Sequence, residues 1–278
     1  MKGTRWKSVI RDCLGNIHRE TRISLCRVPH PEKWVFIVGC YNSGTTLLRN
    51  ILGSHPDICA LPSEGQYLTD QFPSDHEIGL SRMWVKREDL YRLTESDTGP
   101  DVTRIKKEWG ARLNTSKSVL LDQTPANVAR MRWLQKYFEN SYFVGVIRNG
   151  YAVTEGITRK ARPTHKPNGW SIEDAAYQWR RSNEIMEEDS RYLDRYSLFR
   201  YEDLTKSPNK TVRKILDFLE MRSSTSIDLN RNWSIHERNQ GIRNMNNESL
   251  ERLSKDQVTR INKIISAKMN DLGYEVLP

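Results

Sequence analysis

Two glycines separated by four residues mark the stretch of this sequence with the clearest chemical character. Gly39 and Gly44 enclose Cys-Tyr-Asn-Ser, and Thr45 and Thr46 follow directly. The Gly-x-x-x-x-Gly spacing is typical of loops whose backbone N–H groups bind a phosphate. Thr45 stands where nucleoside triphosphatases have the lysine that reaches the β- and γ-phosphates. The loop therefore predicts a phosphate site and speaks against an ATPase or a kinase.

A strand and a helix must position this loop, and the flanking residues fit both. Residues 35–38 are apolar and include β-branched and aromatic side chains, as buried strands do. From Thr45 to Leu52 the apolar residues recur at helical spacing. A helix that begins at the loop points its N-terminal N–H groups toward an anion. The alternative is an ordinary strand–turn–helix unit without a ligand.

Further polar residues follow predicted strands elsewhere in the chain. Four more apolar runs predict strands, at 58–61, 118–122, 142–147 and 196–201. The polar residues at or beyond their ends are Glu64, Gln123, Thr124, Arg148 and Tyr201. Ligands of open α/β sheets bind at the carboxyl ends of the strands, so we expect these side chains beside the phosphate loop. Glu64 is then a candidate general base, and a salt-bridge or helix-capping role is the alternative.

Strands that alternate with helical patterns predict a three-layer α/β/α fold with a mainly parallel central sheet. We expect one such domain over residues 34–278, preceded by a basic arm or helix over residues 1–33. Residues 68–116 predict an inserted cap of short helices and loops. Residues 159–170 are basic, contain two prolines and form a candidate lid. A single amphipathic helix is expected over residues 249–272.

The net charge of the chain favours a negatively charged ligand but does not identify it. Lysine and arginine exceed aspartate and glutamate, which gives a net charge of +9. That excess suits an anionic ligand, a nucleic acid or a membrane surface, or is simply a solvated basic face. The sequence shows neither an aromatic–basic platform for a nucleic acid nor a His/Cys cluster for a metal. We therefore expect an anionic ligand, no nucleic acid and no metal.

Targeting signals and cysteines lead to an expected location. No apolar run approaches the length of a membrane span, and residues 1–27 lack the apolar core of a secretory signal. The four cysteines include no C-x-x-C pair and are expected to stay reduced. We therefore expect a cytoplasmic protein, and the basic N-terminal arm leaves peripheral contact with a membrane surface open. The sequence carries no signal for an oligomeric state.

Three motifs, in chain order, resemble those of one enzyme family. Residues 36–48, Phe-Ile-Val-Gly-Cys-Tyr-Asn-Ser-Gly-Thr-Thr-Leu-Leu, resemble the 5′-phosphosulfate-binding loop of sulfotransferases that use 3′-phosphoadenosine 5′-phosphosulfate (PAPS). Residues 143–153 resemble their 3′-phosphate-binding strand, loop and helix. Residues 201–208, with Tyr-Glu-Asp-Leu at one end and Ser-Pro at the other, resemble a third signature. Residues 55–58, His-Pro-Asp-Ile, lead to Glu64 in a layout similar to the protein-tyrosine and bacterial branch.

The resemblance implies the P-loop-like sulfotransferase fold and a site on it. The residues implied to bind PAPS are Asn42, Ser43, Gly44, Thr45, Thr46, Arg148, Thr154, Gly156, Tyr201 and Arg243. In the family pattern, residues 43–46 hold the 5′-phosphate, and Arg148 holds the 3′-phosphate together with the hydroxyl of Tyr201. The resemblance further implies that Arg243 closes over the nucleotide, that Glu64 takes the proton of the attacking hydroxyl, and that no metal is required.

Three positions depart from the family pattern. Asn42 stands where relatives carry lysine or arginine, so as a catalytic residue it offers a hydrogen bond to the reacting group but no charge. Gln123 replaces a lysine after the third strand, and Gly156 replaces a serine that binds the 3′-phosphate. Thr154 or Thr158 is a candidate to replace the serine, or Arg148 takes a larger share of the binding. The candidates to supply the charge are Lys117, Arg49 and residues 159–166.

These observations predict a PAPS-dependent sulfotransferase that sulfates a hydroxyl group by in-line displacement, with Glu64 as the base. Aromatic residues within 68–116 suit sugar faces and favour a carbohydrate or glycolipid acceptor, and a protein tyrosine or a small metabolite stays open. One alternative is a small-molecule P-loop kinase with Asp122 as a Mg²⁺ ligand. The other is a protein that binds PAPS or its product 3′-phosphoadenosine 5′-phosphate (PAP), with catalysis weakened by Asn42 and Gln123.

Overall fold

Five parallel strands form the central sheet of the computed structural model, which describes residues 20–21, 23–160, 169–221, 227–235 and 238–278. The strands are β1 (Lys33–Val38), β2 (Ile58–Ala60), β3 (Val119–Gln123), β4 (Ser141–Ile147) and β5 (Tyr196–Arg200). They lie in the order β2-β3-β1-β4-β5, and each neighbouring pair is parallel. The chain builds one side of the sheet with β2 and β3, then crosses β1 to build the other side. The loop after β1 therefore leads to one side of the sheet and the loop after β4 to the other. Ligands of open α/β sheets bind in the crevice between two such loops.

Helices cover both faces of this sheet. Within the described ranges they are α1 (Thr45–Leu52), α2 (Glu88–Tyr91), α3 (Val102–Gly110), α4 (Met131–Tyr137), α5 (Gly150–Lys160), α6 (Ile172–Ser190), α7 (Tyr201–Lys206), α8 (Pro208–Phe218), α9 (Asn246–Leu250) and α10 (Lys255–Asp271). Turns of 3₁₀ helix occupy Gly65–Tyr67, Trp84–Arg87 and Pro125–Arg130. A small antiparallel hairpin joins β6 (Trp233–Ile235) to β7 (Arg238–Gln240).

The alternation of side chains along β1 divides the core into two layers. Trp34, Phe36 and Val38 pack on one face of the sheet with residues of α5, α6 and α10. Val35 and Ile37 pack on the other face with residues of α1 and α8. Successive strand side chains point to opposite faces, so a strand that is apolar throughout needs cover on both sides. The predicted three-layer α/β/α fold with a parallel sheet is confirmed.

The segment predicted as an insert, residues 68–116, contains short helices and packs on the first of these faces through aromatic side chains. Trp84 and Trp109 are fully buried. The ring of Trp109 lies 6.2 Å from that of Trp34 and 5.4 Å from that of Phe138, measured between centroids. The insert is therefore anchored in the core of the domain.

The helix predicted over residues 249–272 is two helices in the structure. α9 ends at Leu250 and α10 begins at Lys255. Ser254 starts the second helix, because its side chain accepts a hydrogen bond from the backbone N–H of Gln257. In return, the side chain of Gln257 accepts a hydrogen bond from the backbone N–H of Ser254. This Ser-x-x-Gln capping box is visible in the sequence. The β6–β7 hairpin, in contrast, lies in a polar stretch whose sequence predicts no strand.

Parts of the predicted arm and lid lie outside the described residues, namely residues 1–19, residue 22 and residues 161–168. Among the described helices, none combines the length and the apolar character needed to cross a bilayer. Cys26, Cys40 and Cys59 are free thiols. The cytoplasmic location stays a prediction.

Candidate active site

A cavity of about 520 Å³ opens at the carboxyl ends of the central strands. Of the predicted residues, those that line it are Asn42, Gly44, Thr45, Thr46, Glu64, Gln123, Arg148, Gly156, Tyr201 and Arg243. Its basic side chains are Arg82, Arg148, Arg159, Lys160, Arg243 and Arg252. Glu64 is the single acidic residue that lines it in the described part of the chain. Such an excess of positive charge suits a ligand with several negative charges.

The phosphate loop ends in a glycine that no other residue replaces easily. Gly44 has φ of 91°, and a Cβ at this position would lie 2.5 Å from the ring of Tyr201. Gly44 is the N-cap of α1, and no side chain of the described residues caps this helix. The N–H groups at the start of α1 therefore remain for a ligand, beside Thr45 and Thr46 at the cavity wall.

Arg148 lies directly after β4 and is held from several directions. Its Nε donates to Asn246 Oδ1 at 2.7 Å, and its Nη1 donates to the backbone oxygen of Asn42 at 2.8 Å. The guanidinium carbon lies 4.2 Å from the centroid of the Tyr201 ring. Burial lowers the pKa of Arg148, but arginine stays charged at neutral pH. The guanidinium has five N–H groups, so these contacts leave donors for an anion in the cavity.

The backbone beside Glu64 is fixed by the residue that follows. The N–H of Gly65 donates to Asp122 Oδ1 at 2.9 Å and to Thr124 Oγ1 at 2.7 Å. Its carbonyl oxygen accepts a hydrogen bond from Trp109 Nε1 at 3.1 Å. A Cβ at Gly65 would lie 2.5 Å from the Trp109 ring, so only glycine fits. These contacts aim the Glu64 side chain into the cavity.

The surroundings of Glu64 favour its protonated form. Burial is the main reason that its pKa rises to about 8, and the negative charges of Asp75 and Asp122 act in the same direction. The charge of Arg82 and a hydrogen bond from Gln66 Nε2, at 3.0 Å, oppose the rise. A carboxylate with a pKa in this range is a stronger proton acceptor than an exposed one, as general-base chemistry near neutral pH requires.

Asn42 and Gly156, two of the positions that depart from the family pattern, contact each other. Asn42 has φ of 64°, in the left-handed region that asparagine enters more readily than most residues. A Cβ at Gly156 would lie 3.2 Å from Asn42 Cγ. A serine at position 156 would press against the Asn42 side chain. The two departures are therefore coupled, because the glycine leaves the room that the amide occupies.

Arg82, which the sequence analysis did not propose, reaches the same corner of the cavity from the insert. Its Nη1 donates to Asn42 Oδ1 at 3.4 Å. No sequence signal separates Arg82 from the other arginines of the insert, since its position depends on contacts between segments forty residues apart. Two of the residues predicted to supply the missing positive charge do not line the cavity. Lys117 donates to the Pro56 carbonyl. Arg49 donates to the carbonyls of Leu61 and Pro62.

Lys160, at the end of α5, is a second cation in this corner. Burial lowers its pKa to about 7, and the positive charges of Arg82, Arg159 and Arg148 contribute to the shift. The carboxylate of Glu155 acts in the opposite direction. Lys160 belongs to the basic segment that the sequence analysis suggested as a source of compensating charge.

Thr154, predicted to bind the 3′-phosphate, does not reach the cavity. Its side chain is fully buried, and the cavity-facing residues of α5 are Ala152, Gly156, Arg159 and Lys160. Helical geometry turns position 154 away from this face. The alternative, Thr158, donates its hydroxyl to the Thr154 carbonyl at 3.0 Å. Neither threonine therefore lines the cavity, whereas Arg148, the third candidate to compensate for the missing serine, does.

Hydrogen bonds within the protein occupy the N–H of Ser43 and the hydroxyl of Tyr201, two groups predicted to contact a phosphate. Ser43 is buried, and its N–H donates to the Cys40 carbonyl at 3.2 Å, within the loop itself. The hydroxyl of Tyr201 donates to the Arg243 carbonyl at 3.0 Å and accepts from the N–H of Met245 at 3.1 Å. The Tyr201 ring, and not its hydroxyl, faces the phosphate loop.

The sequence model described as the sulfotransferase family matches residues 35–225, which include the phosphate loop, Glu64 and Arg148. The chain belongs to this family. It is 28% identical to a protein-tyrosine sulfotransferase of Drosophila melanogaster over 195 residues, or 67% of this chain and 38% of that protein. It is 25% identical to protein-tyrosine sulfotransferase 1 of Danio rerio, over 67% of this chain and 53% of that protein. This sulfotransferase chain thus matches about half the length of these relatives or less.

A solved structure shares the fold of this sulfotransferase chain. The sulfotransferase domain from the Synechococcus PCC 7002 olefin synthase superposes with a TM-score of 0.56 at 22% identity. The match covers 90% of this chain and 97% of that one. This structure confirms the predicted P-loop-like sulfotransferase fold. The family match and the relatives named above confirm the predicted resemblance to the protein-tyrosine branch.

The geometry around Asp122 argues against the kinase alternative. Its Oδ1 accepts hydrogen bonds from Gly65 and Thr124, and its Oδ2 accepts one from Asn127 Nδ2 at 2.6 Å. The carboxylate is fully buried behind the cavity and does not line it. In this sulfotransferase Asp122 positions the segment that carries Glu64, and it is not directed at a phosphate-bound metal.

Proposed function

We propose that this sulfotransferase transfers a sulfuryl group from PAPS to a hydroxyl group of an acceptor. The observation that carries the proposal is that the start of α1, the guanidinium of Arg148 and the carboxyl of Glu64 border one cavity. A helix start and an arginine suit the two phosphates of PAPS, and a carboxylate with a raised pKa suits the proton of a nucleophile. Membership of the sulfotransferase family supports the same reaction.

The cosubstrate would be held at its two phosphate ends. The N–H groups at the start of α1, with the hydroxyls of Thr45 and Thr46, suit the 5′-phosphate. Arg148 suits the 3′-phosphate as a charge-assisted pair. Arg243 lines the cavity and pairs with Glu248 at 2.8 Å, and to close over the nucleotide its half-exposed side chain would exchange this carboxylate for a phosphate.

The transfer would be a single in-line displacement. The bond between sulfur and the 5′-phosphate oxygen breaks as the acceptor oxygen bonds to sulfur, and Glu64 takes the acceptor proton. Fixed N–H donors and cations that stabilise the leaving phosphate supply most of the rate enhancement in such reactions. Asn42, at the turn of the loop, would orient the reacting group through its amide.

The acceptor has to bring a hydroxyl group to Glu64. The aromatic residues of the insert that suggested a sugar, including Trp84, Tyr91 and Trp109, are fully buried and offer no face to a ligand. These rings therefore give no support to a carbohydrate or glycolipid acceptor. The curated relatives are named for protein tyrosine. We infer a hydroxyl-bearing acceptor and compare phenols with sugars directly in the assay below.

The first test is thermal unfolding of the chain with PAP, ATP–Mg²⁺ or GTP–Mg²⁺. A ligand that binds only the folded state raises the melting temperature, by an amount that grows with its concentration relative to Kd. We expect PAP to raise it and the two triphosphates to have little effect. A larger shift with ATP–Mg²⁺ would favour the kinase alternative and contradict PAPS as the cosubstrate.

The second test follows ³⁵S from labelled PAPS into acceptors. The panel contains a tyrosine peptide, 2-naphthol, a disaccharide and a lipid extract, with release of sulfate to water measured in parallel. We expect label to appear in a hydroxyl-bearing acceptor. A chain that binds PAP but transfers no label and releases no sulfate would favour the alternative of a PAP-binding protein without catalysis.

A further inference from the structure

The phosphate loop lacks charge where a sulfuryl group would leave. Residues 40–46, Cys-Tyr-Asn-Ser-Gly-Thr-Thr, are all uncharged, and the neutral Gln123 donates to Thr45 Oγ1 at 3.1 Å. When the S–O bond breaks, the bridging oxygen keeps the electron pair and becomes more negative. A cation aimed at that oxygen lowers the barrier, so another element of the protein has to supply it.

Arg82, from the insert, points its guanidinium at this part of the loop. Its Nη1 donates to Asn42 Oδ1 at 3.4 Å, and its guanidinium carbon lies 6.0 Å from the centroid of the Tyr41 ring. Its positive charge also acts on the carboxyl of Glu64. Arg82 therefore lies near both the loop and the base, the two groups between which the sulfuryl group would move.

The backbone at Arg82 is held in a conformation that arginine rarely adopts. Its φ is 61°, in the left-handed region. Its N–H donates to Asp75 Oδ2 at 2.9 Å, and the carbonyl of the preceding residue, Ser81, accepts from Trp170 Nε1 at 2.8 Å. Asp75 also accepts a hydrogen bond from the hydroxyl of Tyr41, which links the insert to the phosphate loop. Strained backbone that its surroundings hold in place is a feature of functional sites.

A second cation, Lys160, faces the same space. Gly156 and Lys160 lie one turn apart on the cavity side of α5, and Gly156 leaves this side open next to Asn42. The charges of Lys160 and Arg82 act on each other across the cavity. Two cations that repel each other are stabilised by an anion between them, which is where the reacting oxygens would lie.

On the basis of the proposed function, we propose that Arg82 is a catalytic residue that supplies from the insert the positive charge the phosphate loop lacks. Arg82 donates hydrogen bonds to the sulfuryl group and to the bridging oxygen, and the Asn42 amide oxygen orients its guanidinium. The S–O bond to the 5′-phosphate breaks and its electron pair stays on the phosphate oxygen. The acceptor oxygen forms the new bond to sulfur, and the acceptor proton passes to Glu64.

The test compares Arg82→Met with Arg82→Lys and with Arg87→Met, an exposed arginine of the same insert that pairs with Asp89. Turnover of ³⁵S-labelled PAPS and the Kd of PAP by calorimetry are measured for each. We expect Arg82→Met to lower kcat by about 10²–10³-fold, as loss of one transition-state donor does, and to weaken PAP binding by no more than about tenfold, because the 5′-phosphate of PAP keeps the oxygen that Arg82 contacts. Arg82→Lys should keep part of the rate, and Arg87→Met should match the wild type.

A rescue experiment separates a chemical role of Arg82 from a structural one. Asn42→Lys puts a cation into the loop itself, so we expect Asn42→Lys combined with Arg82→Met to recover at least about tenfold in kcat over Arg82→Met alone. Arg82→Gly relieves the left-handed strain, and this variant should melt no lower than the wild type and still turn over slowly.

Two results would overturn the role of Arg82. The first is a kcat of Arg82→Met within about threefold of that of the wild type, and the second is a loss of kcat matched by an equal loss of PAP affinity. These results differ from failure of the proposed function itself. If the wild type neither binds PAP nor turns over PAPS, the sulfotransferase proposal fails, whereas an Arg82→Met chain as active as the wild type leaves that proposal intact.

Discussion

Burial sets the chemistry of Glu64. Its pKa is raised to about 8, so the carboxylate that accepts a proton forms only as pH rises through this value. We expect kcat at saturating PAPS, where the pH dependence of nucleotide binding does not enter, to increase with pH and to level off above about pH 8. Glu64→Gln removes the proton acceptor and should lower kcat by about 10²–10⁴-fold while PAP still binds, as calorimetry and ³⁵S transfer would show. A variant with near wild-type transfer would exclude Glu64 as the base.

Arg148 should recognise the phosphate that distinguishes PAP from simpler nucleotides. A hydrogen-bonded charge pair contributes about 1.5–3 kcal/mol, so Arg148→Ala should weaken PAP binding by about 10–100-fold. Adenosine 5′-phosphosulfate lacks the 3′-phosphate and serves as the matched ligand, whose affinity should change much less. Equal losses for the two ligands, measured by calorimetry, would remove the 3′-phosphate assignment.

Lys160 should couple PAP binding to proton uptake. Its pKa is lowered to about 7 by burial and then by the charges of Arg82, Arg159 and Arg148, while Glu155 opposes the shift. Phosphates bound nearby raise this pKa again, so binding between about pH 7 and 8 should take up protons and weaken as pH rises. Calorimetry in buffers of different ionisation enthalpy measures the uptake. Lys160→Met should take up fewer protons than the wild type, and an unchanged number would contradict the coupling.

Residues of the site differ in how far their sequence context reveals them. Glu64 and Arg148 follow strands, and the carboxyl ends of parallel strands share one edge, so their meeting could be predicted. Arg82 and Asp75 could not, because their positions depend on a left-handed turn and on long-range contacts of the insert. The closeness of Thr154 to Gly156 in the sequence predicts that both face the cavity. A shift of two residues along a helix, however, turns a side chain to the opposite face.

At the scale of elements, the insert covers the core and also holds the backbone next to Glu64, the proposed base. Trp109 of α3 fills the space where a Cβ of Gly65 would lie, at 2.5 Å. Gly65→Ala should therefore lower stability by about 1–3 kcal/mol in urea unfolding, as overpacking does, and lower kcat by displacing Glu64. Gly99→Ala is the matched control, since no atom lies within 4 Å of a Cβ there.

The two glycine variants discriminate packing from a general cost of replacing glycine. Gly99 is exposed, so its variant should stay within about 0.5 kcal/mol of the wild type and keep full transfer. If both variants lose stability equally, the close contact between Gly65 and Trp109 is not the cause. If Gly65→Ala loses stability but transfers normally, the contact does not position Glu64.

Elements with a strong periodic signal could be predicted from the sequence, and elements defined by distant contacts could not. The β1 strand and the α1 helix follow from apolar runs whose period is local. The break between α9 and α10 depends on a single capping box within an otherwise helical pattern. The β6–β7 hairpin shows no alternating apolar pattern, because only Trp233 of its described side chains is buried.

At the scale of the whole molecule, positive charge is concentrated where the ligand would enter. The chain carries a net charge of +9, and six basic side chains of the described residues line one cavity. Fields of this kind speed the association of anions and weaken as salt shortens the Debye length. The cavity is therefore expected to bind PAP with a steep dependence on ionic strength.

The salt dependence of PAP binding tests whether this charge acts on the ligand. Raising NaCl from about 0.05 M to about 0.5 M should lower the PAP association rate by about tenfold or more, whereas uncharged adenosine should be little affected. Arg252→Gln removes a cation that lines the cavity and should flatten the dependence. Arg191→Gln removes an exposed cation beside Glu187, outside the cavity, and should not. Equal slopes for both variants would mean that net charge, and not its concentration at the cavity, governs association.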